Sequence, residues 1–185
     1  MINRFGLVMG VGLALLPILL PAAEPSPYRR NKAAVVNFLS PQEVAGYRAG
    51  KGMGLARAAE LNHYPGPSHV LALADELNLS AEQREQTTAL FNSMQAEAQA
   101  LGQAILAAEE RLGSGFADGS ITEAQLRSRL ETLAELQGQL RFVHLHAHLQ
   151  QRALLTAAQI DQYDQLRGYG EGGDSADHHY HHGQP

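Results

Sequence analysis

Two long stretches of the chain repeat apolar residues at three- and four-residue steps, which places them on one face of an α-helix. The first covers residues 80–112 and the second residues 121–154, with a glycine-containing loop at 113–119 between them. Two long amphipathic helices joined by a short loop predict an antiparallel hairpin. The predicted stripes are Phe91, Met94, Ala98, Leu101, Ile105, Ala108 and Leu112, and Leu126, Leu130, Leu133, Leu140, Val143 and Ala147.

Helix starts are marked by capping boxes, in which a Ser or Thr precedes a Glu or Gln by three residues. The hydroxyl accepts from the backbone N–H of the third helical residue, whose side chain accepts from the N–H of the cap. The four predicted boxes are Ser40 with Glu43, Ser80 with Gln83, Ser120 with Glu123, and Thr156 with Gln159.

Three shorter helices are predicted around the hairpin, over 41–61 with a bend near Gly50, Gly52 and Gly54, over 68–77, and over 157–167 before Gly168. A single hairpin leaves part of its apolar surface uncovered, so we expect a second copy to cover it. The predicted fold is all-α, a long bent antiparallel helical hairpin with short flanking helices that forms an antiparallel homodimer.

The two ends of the chain differ in composition from this helical part. Residues 1–23 have the layout of a secretory signal peptide, with Arg4, an uncharged apolar run and small residues before Glu24. The alternative is an uncleaved inner-membrane anchor, although 16 helical residues span only ~24 Å. We therefore predict a periplasmic protein with a flexible leader at 24–39, a helical domain at 40–169 and a disordered His-rich tail at 170–185.

Composition excludes several classes of function. The chain has no Cys, so disulfides, thiolate metal sites and thiol catalysis are ruled out. Its net charge of -5 gives no basic footprint for nucleic acid. The sequence also lacks a His-Glu-x-x-His motif, a phosphate-binding loop and a Gly-x-Ser-x-Gly motif, so no enzyme is predicted.

Two pentapeptides bracket the predicted hairpin and fit a Leu-[Thr/Ser]-x-x-Gln pattern. Their pattern residues are Leu79, Ser80 and Gln83 in the first, and Leu155, Thr156 and Gln159 in the second. In these motifs the chain resembles the CpxP/Spy periplasmic chaperones and the related ZraP- and CnrX-like heavy-metal resistance and sensor proteins. The resemblance implies a bent-hairpin homodimer that either holds unfolding client proteins without ATP or binds divalent metal ions and signals their presence, with a membrane sensor protein as a further partner.

The resemblance also implies where a nickel or cobalt sensor holds its metal, and this chain departs from that pattern. Such sensors use a His-x-x-x-His pair before the first motif, a Glu in the next helix and a late His-x-x-x-Met pair. Here His69 is followed one turn later by Leu73, Phe91 occupies the region expected to hold the Glu, and the late Met is missing. That set of ligands is not predicted for this protein.

Two groups of histidines remain as metal candidates. His144 and His148 lie one turn apart on one predicted helix face, a spacing that lets two imidazoles share a cation, whereas His146 points away. A site there needs a carboxylate, a third histidine such as His63 or His69, or the dimer mate. The alternative is that these residues form the polar flank of an amphipathic helix.

The second group is in the tail, where His178, His179, His181 and His182 follow Asp177. This composition binds Zn, Ni, Co or Cu largely irrespective of fold. The alternative is a spacer with no role in metal binding. The predicted function is thus a non-enzymatic periplasmic heavy-metal-binding stress or resistance protein. The alternative function is an ATP-independent chaperone or envelope-stress signalling adaptor with incidental metal binding.

Overall fold

The computed structural model describes residues 38–169, and all regular structure in this range is helical, as predicted. The predicted signal peptide, nearly all of the predicted leader and the predicted tail lie outside the described residues. Within 38–169, no helix is long and apolar enough to cross a membrane. The six helices are α1 (Pro41–Arg48), α2 (Arg57–Glu60), α3 (Pro67–Ala72), α4 (Ala81–Ala117), α5 (Glu123–Leu154) and α6 (Ala157–Arg167).

Capping boxes begin four of these helices, and three of them are the predicted ones, at Ser40, Ser80 and Thr156. The prediction for α5 was wrong by two residues. Its cap is Thr122, whose hydroxyl accepts from the backbone N–H of Gln125. Residues 118–121 instead close α4, because the N–H groups of Ser120 and Ile121 both bond the carbonyl of Gly115.

The region predicted as one bent helix over 41–61 is two helices separated by a tight connection. Gly50 and Gly54 both adopt positive φ, at 62° and 83°, and Met53 does so at 43°. This left-handed backbone ends α1 and redirects the chain into α2. The glycines thus break the helix that they were predicted only to bend.

The predicted loop at 113–115 was also wrong, since α4 continues through it to Ala117. Gly113 and Gly115 are sites of close approach, where a Cβ atom would overlap the ring of Phe38 and the guanidinium of Arg129 respectively. Both glycines allow close packing inside the helix. The prediction was wrong because it treated glycine only as a helix breaker.

Helices α4 and α5 pack together as a long helix pair. Helices α3 and α6 lie near the end where α4 begins, whereas Tyr47 of α1 meets α4 at Gly102. Arg129 donates to the carbonyl of Arg111 near the connecting loop, and Gln151 donates to Thr87 at 3.2 Å towards the other end. The core between the long helices is formed by Ala98, Ile105, Ala108, Leu133, Leu140 and Val143. Leu130, predicted in the buried stripe, is 48% exposed.

A second, smaller core joins α3, α6 and the two pentapeptide motifs. Its buried members are Val70, Ala74, Leu77, Leu79, Leu155 and Tyr163, so both motif leucines are buried in it. The motif glutamines meet beside this core. Gln83 donates to Gln159 at 2.9 Å and receives a bond from it at 3.0 Å. Each glutamine also donates to the backbone at the far motif, to Leu154 and Leu77.

Candidate functional site

A cleft of about 1040 Å³ opens beside the end of the long helix pair that the short helices cover. One wall is the connection between α1 and α2, another is the start of α3, and the floor is formed by α4 and α5. We call this space the cleft. The polar and aromatic residues that line it include Lys51, Arg57, Glu60, His69, Phe91, Gln95, His144, His148 and Tyr169.

Glu60, the last residue of α2, is a buried carboxylate at the centre of a group of donors. Its Oε1 accepts from His69 Nδ1 at 3.1 Å and from the hydroxyl of Tyr163. Tyr169 donates to the same oxygen at 3.4 Å, and the guanidinium of Arg167 lies 3.5 Å away. The second oxygen, Oε2, is buried without a hydrogen-bond partner among the described residues. We call these five residues the Glu60 cluster.

Electrostatics favour the ionised form of this carboxylate. Burial acts to raise the pKa of Glu60, but hydrogen bonds from His69 and Tyr163 and the charges of His69 and His148 outweigh it and lower the pKa to about 2. Burial also raises the pKa of Tyr163, and its hydrogen bond to Glu60 adds to this effect. Glu60 is therefore an anion and Tyr163 a neutral donor throughout the physiological range.

The imidazole of His148 is held in one orientation by the backbone. Its Nδ1 lies 2.7 Å from the carbonyl oxygen of Tyr64, which can only accept, so Nδ1 carries the proton. In the neutral ring Nε2 then keeps a free lone pair. This arrangement, a backbone carbonyl on one nitrogen and a free second nitrogen, is typical of metal-binding histidines.

Gly66 marks a space that Glu60 and His148 share. A Cβ atom on Gly66 would lie 3.0 Å from His148 Nε2 and 3.4 Å from Glu60 Oε2. The free lone pair of His148 and the unpartnered oxygen of Glu60 therefore border one small volume over a residue that has no side chain. His148 Nδ1 itself lies 3.7 Å from Glu60 Oε2.

His144 lies one helical turn before His148 and is also buried. Its Nε2 has no hydrogen-bond partner within residues 38–169. Burial lowers the pKa of His144, and the charge of neighbouring His148 lowers it further, so the neutral ring is favoured. His146 points away from His144 and His148, as predicted, and its exposed ring stacks on Phe142 outside the cleft, with centroids 5.2 Å apart.

Local sequence explains how the cluster is assembled. Pro65 and Pro67 fix an extended backbone at Gly66, which caps α3 and places His69 in its first turns. At the other end, Gly168 adopts the left-handed conformation with φ of 73° and ends α6. The N–H of Tyr169 then bonds the carbonyl of Asp164 at 2.8 Å, which turns the Tyr169 side chain towards Glu60.

The sequence-based candidates have different outcomes. His144 and His148 share the cleft, and a carboxylate and His69 join them there, whereas His63 lies elsewhere and pairs with Asp164 at 2.5 Å. Within residues 38–169, no three His, Asp or Glu side chains are gathered closely enough to hold a metal ion as they stand. The four tail histidines lie outside the described residues.

Sequence reasoning missed the carboxylate and the three residues of α6 and its end that surround it. Glu60 is separated from Tyr163 by 103 positions and from Tyr169 by 109, so no local pattern relates them. The only available signal was the Pro-Gly-Pro turn between Glu60 and His69, which brings these two residues together.

In comparisons with known proteins, no protein-family model, curated protein or solved structure matches the chain.

Proposed function

We propose that this chain is a periplasmic heavy-metal-binding stress or resistance protein and that it binds one divalent cation in the cleft. The ligands would be Glu60 and His148, with His144 and His69 as further donors. The observation that carries the proposal is the shared space over Gly66, which the unpartnered Glu60 Oε2 and the free Nε2 of His148 both border.

The donor set fits a borderline transition metal. Imidazole nitrogen with one carboxylate suits Zn²⁺, Ni²⁺, Co²⁺ and Cu²⁺ better than Mg²⁺ or Ca²⁺, which prefer oxygen ligands. Cation binding needs a neutral imidazole and an ionised carboxylate. The lowered pKa values of His144 and Glu60 favour these forms at neutral pH.

The bound cation would be sensed by side-chain movement. His69 now donates to Glu60 from Nδ1, and Arg167 and Tyr169 share the same oxygen. Because the carboxylate's negative charge holds α2, α3 and α6 together, a cation on its second oxygen would weaken these bonds. The proposed function is thus metal binding coupled to a shift of the short helices against the long helix pair. We expect the long pair, α4 and α5, to act as an antiparallel hairpin.

Metal titration of the full chain tests the proposal. We expect calorimetric titration with ZnCl₂ or NiCl₂ to show one high-affinity cation site per chain, whose affinity falls roughly 10- to 100-fold in Glu60→Gln and in His148→Ala. Gly66→Ala, which fills the shared space without removing a ligand, should lose affinity in the same way.

His146→Ala is the matched control for His148→Ala, since it removes the same side chain from the same helix outside the cleft. The proposal fails if Glu60→Gln and His148→Ala bind metal as tightly as His146→Ala while keeping the helical circular dichroism of the original chain.

A second candidate function, an ATP-independent chaperone or signalling adaptor, is favoured by a different observation. Phe142 and Leu149 lie two turns apart on α5 and are 64% and 56% exposed. Such an apolar surface suits an unfolded client, a membrane sensor protein or a second copy in an antiparallel homodimer. Suppression of client aggregation that is lost in Phe142→Ser, but kept in His148→Ala, would support this function and separate it from metal binding.

A further inference from the structure

The cleft is much larger than the cation that it is proposed to hold. Its volume of about 1040 Å³ is close to the upper end of the range for small-molecule sites, about 300–1,000 Å³. A metal ion between Glu60 and His148 would fill the small volume over Gly66 and leave most of the cleft free. The remaining space is sufficient for an organic molecule that is bound together with the ion.

We propose that the cleft binds its divalent cation as a complex with a small organic polycarboxylate. The metal would lie on Glu60 and His148, and carboxylates of the organic ligand would lie at Lys51 and Arg57. The ligand class is a chelating di- or tricarboxylate of the size of citrate. This inference rests on the proposed function, because the organic ligand would be held partly through the same cation.

The number of metal ligands in the cleft supports a second, organic ligand. Transition-metal sites in proteins use three or four side chains, and a position that they leave open is taken by water or by a bound molecule. No three His, Asp or Glu side chains within residues 38–169 are gathered closely enough to hold an ion by themselves. Oxygens of a chelating carboxylate would occupy the open coordination positions.

The charge of the lining points to an anion. Among the described residues that line the cleft, Glu60 is the one carboxylate, whereas Lys51 and Arg57 are both cationic and exposed. Neither of these two side chains forms an ion pair within residues 38–169. Two fixed positive charges repel a bare dication, but they attract a metal complex whose organic ligand carries excess negative charge.

Both positive charges lie beside proposed metal ligands. Lys51 directly precedes Gly52, where a Cβ atom would lie 3.6 Å from Nδ1 of His144. Arg57 and Glu60 are the first and last residues of α2, about one helical turn apart. Two neighbouring segments thus each place a positive charge next to a donor atom for the metal, as a ligand that both chelates the ion and carries further carboxylates requires.

His144 and the floor of the cleft suit the rest of such a complex. Nε2 of His144 is buried without a hydrogen-bond partner within residues 38–169, in a residue that is only 4% exposed. A buried nitrogen without a partner costs free energy, which a bound complex would recover. Phe91 and Met94 are partly buried and line the same cleft, and they provide apolar surface for the carbon skeleton of the ligand.

Equilibrium dialysis of the full chain with NiCl₂ and radiolabelled citrate tests the inference. We expect the chain to retain citrate roughly 10-fold more tightly with NiCl₂ than without it. His148→Ala should reduce the retention of citrate roughly 10- to 100-fold, because the metal ligand is lost. Excess acetate, which does not chelate, should leave the retention of citrate unchanged.

A second variant separates recognition of the anion from binding of the metal. The combination of Lys51→Gln and Arg57→Gln should lower the retention of citrate roughly 10-fold, while its affinity for NiCl₂ alone should not weaken. The matched control is the combination of Arg48→Gln and Arg141→Gln, which removes the same charge from exposed positions outside the lining of the cleft. This control should retain citrate as the original chain does.

The other outcomes overturn distinct claims. Binding of NiCl₂ that depends on Glu60 and His148, without any retention of citrate, would leave the proposed function standing and refute the inference. Equal retention of citrate in the two charge variants, or in His148→Ala and the original chain, would also refute it. Nickel binding that is unaffected by Glu60→Gln and His148→Ala, with or without citrate, would refute the proposed function and the inference together. Circular dichroism checks that each variant is folded, and the exposed positions of Lys51 and Arg57 keep the test independent of the folding of His148→Ala.

Discussion

The two halves of α5 differ sharply in what they bury. From Leu140 to Gln151, six residues are buried, including His144 and His148, whereas from Glu123 to Gln139 only Leu133 is buried. Helices α2 and α3 contact α5, and Glu60 of α2 and Gly66 before α3 lie against His148 in the first of these regions, which we call the near half. We call the second region the far half. Cover by short helices is what allows polar groups to be buried in the near half.

This contrast separates two kinds of chemistry along one helix. In the near half, buried polar atoms are held by specific partners, such as Gln151 with Thr87 and His148 with the backbone of Tyr64. In the far half, Leu133 is the one buried residue and Leu130 is 48% exposed. The near half of α5 thus buries polar groups beside apolar ones, whereas the far half buries only an apolar residue.

The largest expected effect is on the pH dependence of stability through Glu60. Its folded pKa of about 2 lies below the ordinary value of 4.5. The stabilisation is therefore complete above pH 4.5 and is lost as the pH falls from 4.5 to 2. In metal-free urea unfolding, ionised Glu60 should account for about 3 kcal/mol of the decrease in the free energy of unfolding between these two pH values. We expect Glu60→Gln to lack this part of the decrease.

Glu123, in the far half, is the control for Glu60. Its side chain is exposed and forms an ion pair with Arg127 one turn away, at 3.7 Å. Glu123→Gln should leave the pH profile of the original chain unchanged. If Glu60→Gln and Glu123→Gln give parallel profiles, the Glu60 cluster does not stabilise the fold through its charge.

Two helical glycines provide the next largest contrast. A Cβ atom on Gly102 of α4 would overlap the backbone carbonyl of Tyr47 in α1, whereas one on Gly138 of α5 would meet nothing within 4 Å. We expect Gly102→Ala to lower the free energy of unfolding by about 2 kcal/mol because backbone must move. Gly138→Ala should raise it by about 0.5–1 kcal/mol through helix propensity.

Urea unfolding of both glycine variants at neutral pH measures this difference. A stabilising Gly102→Ala would mean that α1 can shift without cost and that the short helices do not pack tightly on the long helix pair. Far-ultraviolet circular dichroism of the folded variants checks that helix content is retained.

The elements set by neighbouring residues could be predicted from the sequence, and those set by distant contacts could not. Three capping boxes and the bounds of α6 were predicted because their hydrogen bonds join residues three or four apart. The extension of α4 through Gly115 and the break after α1 depend on tertiary packing and positive φ. For the candidate site, the sequence could relate His144 to His148 because they share a helix, but it could not relate them to Glu60, which comes from another helix.

The smallest contrast compares two capping boxes of the same chemistry. Gln83 and Gln125 each accept from the backbone N–H of their cap residue, at 3.0 and 2.9 Å. Only Gln83 also bonds across the fold, to the carbonyl of Leu154 and to Gln159. The long-range bonds should make Gln83→Ala costlier than Gln125→Ala by roughly 1 kcal/mol, the net value of such bonds.

Thermal or urea unfolding of Gln83→Ala, Gln159→Ala and their combination measures what these long-range bonds contribute to the free energy of unfolding. Because the two glutamines bond each other, the loss in the combination should be smaller than the sum of the single losses. Equal losses in Gln83→Ala and Gln125→Ala would mean that the motif glutamines act only as local caps. The near half would then be held by its apolar core and the Glu60 cluster, without a contribution from the paired motifs.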